Sequence, residues 1–408
     1  MGKIKLLKLR ELLFLLLLSG SFDAFAVAHH SILKRDSITQ QLFEYAEFII
    51  EPEIFIHHTI ERAFIGPGTF LLENGEILMA APWGRPPANF VEIAAKYPTP
   101  MFYRSMDGGR TWQEQGRMNM DWEIPGMISD GGISFIRLQD GRLAFLSHRH
   151  VEGLSGGGLP VISFSSDNGL TWSSAKVLGS TEGVWYVMND RIVQLSNGRI
   201  VIPVSHMPKD FGSNEGGRNI SLCLFSDDGG VNWEKSCKHA SLKDERGMAE
   251  PCIAEIEENE LIMLSRTGKG CIYRSWSADG GETWSNPEPT LLIAACSPLT
   301  LKILPDGRLI VFYNHAEPFK DGAFFPRTPL AYSISSDKGR SWSAPIIVDD
   351  EGMEFNDRQN IYPSVCFTKE GMLVIWSTHF ANPLGGFNNE NKEVWKIGGG
   401  KRAILAYP

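Results

Sequence analysis

The sequence predicts an all-β protein built from six copies of one supersecondary unit, and two independent repeats carry that prediction. The first is the phrase Ser-x-Asp-x-Gly-x-Thr/Ser/Asn-Trp, which begins at Ser105, Ser165, Ser226, Ser277 and Ser335. Its aspartates, Asp107, Asp167, Asp228, Asp279 and Asp337, recur every 51 to 61 residues, the mark of one unit built repeatedly. The second is an apolar–turn–apolar phrase centred on Gly75, Gly141, Gly198, Asn259, Gly307 and Gly371. Asn-Gly and Asp-Gly between alternating apolar residues are strong hairpin signals. Six hairpins against five copies of the first phrase give six units, the last lacking the phrase.

The first phrase is turn hardware. Its Asp folds back onto nearby backbone N–H groups, its Gly supplies a positive φ, and its Trp plugs the space beneath the hairpin. It is the Asp-box, and a chain with five at this spacing resembles the sialidase-type β-propellers. The resemblance implies a six-bladed β-propeller of four-stranded antiparallel blades with Asp-box hairpins.

From its start the chain reads as a secretory leader. Residues 1–26 have Lys3, Lys5, Lys8 and Arg10, then an apolar run from Leu12 to Leu18, then small residues at Ala24 and Ala26. The run is far shorter than the ~20 residues of a membrane span, so export to the periplasm or the exterior is expected, with no membrane insertion after cleavage. Residues 27–408 are expected to form a single propeller domain, a monomer, since no linker composition interrupts the repeats. The chain carries a net charge of −9, and losing a basic leader makes the remainder more acidic still, which argues against nucleic acid as a partner.

The loop from Gly153 to Gly158 is glycine-rich but leads into a strand, so it is no phosphate cradle. The cysteines, Cys223, Cys237, Cys252, Cys271, Cys296 and Cys366, show no zinc-site spacing, and no metal or other cofactor is expected. Cys223 and Cys237 are equidistant from Gly230 and form the best disulfide candidate, with reduced buried thiols as the alternative. Closure of the last blade is expected to be shared by the segment from Ser37 to Ile50 and the final segment from Arg402.

Aligning the six hairpins and stepping nine residues back gives the expected axial ring: Gly66, Gly132, Asn189, Glu250, Pro298 and Tyr362, with Asp130, Asp190 and Ser297 as polar neighbours. A Glu and a Tyr enter this ring from different blades. Here the resemblance extends to residues. It implies Tyr362 as nucleophile, Glu250 as its base, and Arg266 and Arg327 as arms of an arginine clamp on a substrate carboxylate. A neutral phenol approaches such an anionic substrate without like-charge repulsion.

The chain departs from the family pattern twice. Ile65 stands where the first clamp arginine belongs, leaving Arg62 and Arg85 as substitutes. The loop after Arg85 contains no Asp, so Glu92 and Asp130 are the acid candidates, and Asp190 is a further candidate for binding substrate. His148 and His150 share a strand face without a third metal ligand nearby. The expected partner is a glycan or glycoconjugate. The expected function is a retaining exo-glycosidase releasing sialic acid or a related acidic sugar. The alternatives are a hydrolase or lyase for another sugar, or a noncatalytic carbohydrate-binding propeller.

Overall fold

A computed structural model describes residues 44–58, 63–81, 83–84, 100–117, 127–128, 132–150, 158–180, 183–208, 219–243, 247–316, 327–351, 358–382, 386–387 and 398–408. By its contacts the chain divides into Met1–Glu44 and Tyr45–Pro408. All but one of the described residues belong to the second unit, and the expected leader lies outside them.

The second unit is a six-bladed propeller. Its first blade orders Gly68–Leu71, Ile77–Ala81, Met101–Ser105 and Gln113–Arg117 as a four-stranded antiparallel sheet. The fourth blade, Ala249–Glu257, Glu260–Arg266, Cys271–Ser277 and Glu288–Ile293, repeats that order. So does the fifth, from Thr300–Ile303 to Ile346–Asp349. Among the described residues six apolar clusters fill the interfaces, each shared by neighbouring blades. One joins Ile202 and Leu222 of the third blade to Leu146 and Ile162 of the second. Another joins Met79 and Tyr103 of the first to Leu373 and Ile404 of the sixth. The circle is closed by such contacts, which remove from water the apolar face that each sheet cannot bury alone.

The box residues perform as their chemistry predicts. In the first copy Thr111 N and Oγ1 donate to the Asp107 carboxylate at 2.8 and 2.6 Å, and Ser105 Oγ donates to it at 2.8 Å. The box glycine is pressed against the preceding blade. A Cβ on Gly109, whose φ is 92°, would lie 2.6 Å from Leu373, and one on Gly230 (φ 93°) would lie 2.5 Å from the Phe164 ring. Both the left-handed backbone and the close approach exclude a larger residue.

The sixth blade is ordered Phe48–His57, Gly399–Leu405, Met372–Asn382 and Arg358–Phe367. The expected closure thus holds for the final segment and for Phe48–Ile50, while most of the outer strand lies beyond Ile50. Just ahead of it the chain adds instead to the fifth blade, where Tyr45 pairs beside Ile346–Asp349 and Ala46 N donates to Ile347 O at 2.9 Å. Ser37–Phe43 fall outside the described residues.

The second and third blades are joined in a way the repeats do not announce. The short strand Val184–Tyr186 pairs with the second blade at Gly158 and with the third along Ser205–Met207, making one continuous sheet.

The expected Cys223–Cys237 pair does not form. Leu224 pairs with Lys235 and Phe225 with Glu234, so Cys223 lies opposite Ser236, one residue short of Cys237. Cys223 is buried, Cys237 is exposed, and all six cysteines are free thiols. A one-residue register difference turns a side chain to the other face. Among the described residues no helix is long and apolar enough to cross a membrane, and no three His, Cys, Asp or Glu side chains converge as metal ligands.

Candidate active site

Three of the six positions in the aligned axial ring, and Asp190 beside a fourth, carry left-handed backbone. Gly66, Asp190, Glu250 and Tyr362 have φ of 56°, 55°, 49° and 56°. Three of them precede a proline, Pro67, Pro251 and Pro363. A positive φ in a bulky residue ahead of proline is disfavoured twice, and such positions cost of order 1–3 kcal/mol each. The strand registers show what is obtained. Pairing shifts between Ala249 and Cys252 in the fourth blade, and between Ile361 and Ser364 in the sixth. Each bulge takes one residue out of the inner strand's alternation and re-aims its side chain. Glu250 and Tyr362 are those residues.

The fourth blade brings Arg266 beside Glu250, because the hairpin register places Arg266 opposite Ala249. Arg266 Nη1 donates to Glu250 Oε2 at 2.7 Å, with the side chains 8% and 10% exposed. Arg266 Nε donates to Cys296 Sγ at 3.3 Å. Burial opposes the charge on Arg266, but Glu250, Cys296 and the Tyr362 phenol overcome it, so its pKa is raised. Arg327 is buried too. Burial and repulsion from Arg266 bring its pKa down to about 10, against the favourable influence of Tyr362, Glu250 and Cys296. Both guanidinium groups therefore remain charged at neutral pH. Each feels Glu250 and the Tyr362 phenol, so side chains of the fourth, fifth and sixth blades stand within electrostatic reach of one another.

The Arg327 backbone is pinned just ahead of the nucleophile candidate. Its carbonyl accepts from Asn360 N at 3.0 Å and from Asn314 Nδ2 at 2.8 Å, and Asn314 Nδ2 also donates to Asn360 O at 2.9 Å. Asn314 thus ties the fifth blade to the sixth. On the other flank, Glu250 N donates to Ser205 Oγ at 2.5 Å. Tyr186 lies opposite Ser205 in the bridging strand, and burial followed by the Glu250 charge raises its pKa.

Of the residues singled out in the sequence, the structure gathers Tyr362, Glu250, Arg266 and Arg327. Asp190, the further substrate-binding candidate, is engaged within the protein. Its carboxylate accepts from Ser364 Oγ at 3.1 Å and Val365 N at 2.8 Å, and Lys302 Nζ stands 3.3 Å away. Those partners make it a buried brace between blades. Arg62, Arg85, Glu92 and Asp130 lie outside the described residues, and so do the side chain of His150 and the loop 151–157. His148 is spent on the Trp185 carbonyl, 2.6 Å from its Nε2.

Ile65 is buried, 1% exposed, and the corner behind it is built from imidazoles. Phe64 N donates to His58 Nδ1 at 3.0 Å, and His58 Nε2 lies 3.1 Å from Thr378 O. That geometry fits the neutral Nε2–H tautomer, and burial, opposed in part by the Thr378 bond, brings the His58 pKa to about 4. His379 beside it is also pushed well below the usual range, by burial, then by His58, Arg327 and Arg358. This corner is uncharged at neutral pH.

Cys296, Tyr186, Ser205 and Asn314 were not among the site residues read from the sequence. Their part depends on contacts between blades, which no single repeat displays. Asn189 did fall in the aligned ring, though nothing in the sequence assigned it a task.

Comparison with known proteins agrees with this architecture. The model of the BNR repeat-like domain matches residues 160–375. An anhydrosialidase of Macrobdella decora is 30% identical over 209 residues, 48% of this chain but only 24% of that protein's length. Two solved structures share the fold. A protein of unknown function from Dyadobacter fermentans has TM-score 0.64 and 19% identity, covering 89% of this chain and 99% of its own. The Hadza microbial sialidase Hz136 has TM-score 0.58 and 17% identity, covering 77% and 63%. With more than half of its length matched by that model and five box hairpins in a closed ring of six blades, the chain belongs to the BNR repeat-like domain family, the sialidase-type β-propellers.

Proposed function

We propose that this protein is a retaining exo-glycosidase that releases a terminal sialic acid or related acidic sugar, with Tyr362 as nucleophile. The observation that carries the reading is the convergence of Tyr362, Glu250, Arg266 and Arg327 from three blades. The Tyr362 phenol attacks the anomeric carbon as the bond to the aglycone breaks, and its proton passes to Glu250. The departing oxygen takes a proton from an acid, for which Asp130 and Glu92 are the candidates. Water then gives a proton to the acid left deprotonated by the first step and displaces the phenolate, which recovers its own proton from Glu250. Arg327 and Arg266 hold the sugar carboxylate through charge-assisted hydrogen bonds. The leader expected over residues 1–26 makes the enzyme an exported one.

A second reading has its own observation. Ile65, buried, stands where the family's first clamp arginine belongs, and the His58 imidazole that takes the neighbouring Phe64 amide is neutral. A two-arginine clamp favours a different sugar, or a propeller that binds glycans without cleaving them. Hydrolysis of an aryl sialoside beside a panel of other aryl glycosides, with Tyr362→Phe as control, separates these readings. Sialoside turnover lost in Tyr362→Phe supports the first. Turnover of another glycoside alone, or binding without turnover, supports the second, and activity unchanged in Tyr362→Phe removes the proposed nucleophile.

A further inference from the structure

The third blade supplies none of the four clustered residues, yet it holds the backbone of two of them. Ser205 takes the Glu250 amide, as described, and Asn189 takes the bulge at Tyr362. Asn189 is fully buried, 0% exposed. Its Nδ2 donates to Tyr362 O at 3.2 Å and to Pro363 O at 2.9 Å. Thr300 Oγ1 gives Pro363 O a second bond, at 2.7 Å. These carbonyls need such donors, because the register shift between Ile361 and Ser364 takes both residues out of the ladder, and a buried carbonyl without a donor is costly.

Asn189 is itself clamped on both sides. Arg191 Nη1 donates to its carbonyl at 2.9 Å, Arg191 N donates to Ser134 Oγ at 2.7 Å, and Asp190 N donates to Ile133 O at 3.1 Å. The segment is therefore fixed to the second blade while the Asn189 carboxamide reaches across to the sixth. Asn189 Oδ1 has no hydrogen-bond partner among the described residues. Its donor end is the one in use, on the bulge that carries Tyr362.

We infer that Asn189 is a positioning residue for Tyr362: its carboxamide holds the left-handed bulge that aims the phenol at Glu250 and the arginines. This rests on the reading of Tyr362 as nucleophile for its catalytic consequence, though not for its structural content. Asn189→Leu keeps the shape and removes both donors. A displacement of about 1 Å in a reacting group costs about 100-fold in rate, so kcat on the aryl sialoside falls by about that factor while KM changes by less than about threefold. Thr290→Val, which removes a buried hydrogen bond to Ile272 O far from the axis, is the matched destabilised control.

The readout independent of turnover is the ¹⁹F spectrum of protein carrying 3-fluorotyrosine, with the Tyr362 signal identified by its loss in Tyr362→Phe. The Tyr362 resonance moves or broadens in Asn189→Leu and stays in place in Thr290→Val. If Asn189→Leu does not fold, Asn189→Ala removes the same donor with a smaller side chain and the same resonance is followed. A Tyr362 signal unmoved in the donor-deleted variant overturns the inference, as does a kcat loss no larger than that of Thr290→Val. If the wild type turns over no glycoside and the resonance still moves, the catalytic reading fails and the positioning role stands.

Discussion

Glu250 and Arg266 share a hydrogen bond of 2.7 Å with about nine-tenths of each side chain out of solvent. A buried pair of this kind is costly to break from one side only, since the remaining charge stays buried without its partner. Arg266→Met is therefore expected to destabilise the protein by about 3–5 kcal/mol, seen as a lower midpoint in urea unfolding. Glu250→Gln leaves the Arg266 cation buried without its carboxylate but keeps an oxygen to accept its hydrogen bond, so it should lose stability too, though less. Both variants unfolding at the wild-type midpoint would show the ion pair to be unimportant to the fold.

In catalysis Glu250→Gln and Arg327→Met should act on different steps. Glu250→Gln removes the base and should lower kcat by about 10²- to 10⁴-fold, the usual contribution of a positioned proton acceptor. Arg327→Met touches substrate binding first and should raise KM. Steady-state kinetics on the aryl sialoside check both, and a kcat unaffected by Glu250→Gln would remove that residue from the proton path.

Acid should weaken the fold in two stages. His58 has its pKa lowered from 6.5 to about 4. Below pH 6.5 the unfolded chain takes up a proton that the folded protein refuses, so stability present above that pH is lost progressively down to pH 4. A shift of that size corresponds to about 3 kcal/mol. The second stage belongs to the boxes. Asp107, Asp167 and Asp337 are held near 2: burial, the largest single influence, pushes them up, but the hydrogen bonds from the box hydroxyls and amides together outweigh it. Their contribution is present above the ordinary value of 3.8 and is lost as pH falls towards 2. Melting temperature measured against pH should show both windows, and His58→Asn should shrink the upper one, leaving the share that His379 contributes, without touching the lower. A profile flat from pH 7 to 4 in the wild type would contradict the neutral His58.

Free thiols make a simple count. In the native protein a thiol reagent should modify Cys237 rapidly, because it is exposed, and Cys271 more slowly, because it is half-buried. Cys223, Cys252, Cys296 and Cys366 should react only after unfolding, and reductant should leave the melting temperature unchanged. A loss of stability on reduction would restore the Cys223–Cys237 bridge.

The repeats made the architecture legible. Box and hairpin are local devices, written in consecutive residues, so their number and order give the blades, and counting back from each turn found the bulges at Glu250 and Tyr362. What sequence could not supply lies between blades. Asp190 and Asn189 are adjacent polar residues in the ring, yet one braces the sixth blade through Ser364 and Val365 while the other grips the carbonyls of Tyr362 and Pro363. Nothing in their neighbourhood separates those tasks. The cysteine pair failed for a smaller reason. Symmetry about Gly230 would set Cys223 opposite Cys237, but the strands pair about a point half a residue earlier, and Ser236 takes the place opposite Cys223.

The strand Gly399–Leu405 lies between Phe48–His57 and Met372–Asn382. A polypeptide emerging from the ribosome can complete five sheets while this last slot is still empty, leaving two raw edges facing each other across the gap. Exposed edges of that kind recruit other chains. The final seven-residue insertion is therefore the latch of the whole ring, and nascent protein halted just before it should be the species that chaperones must guard.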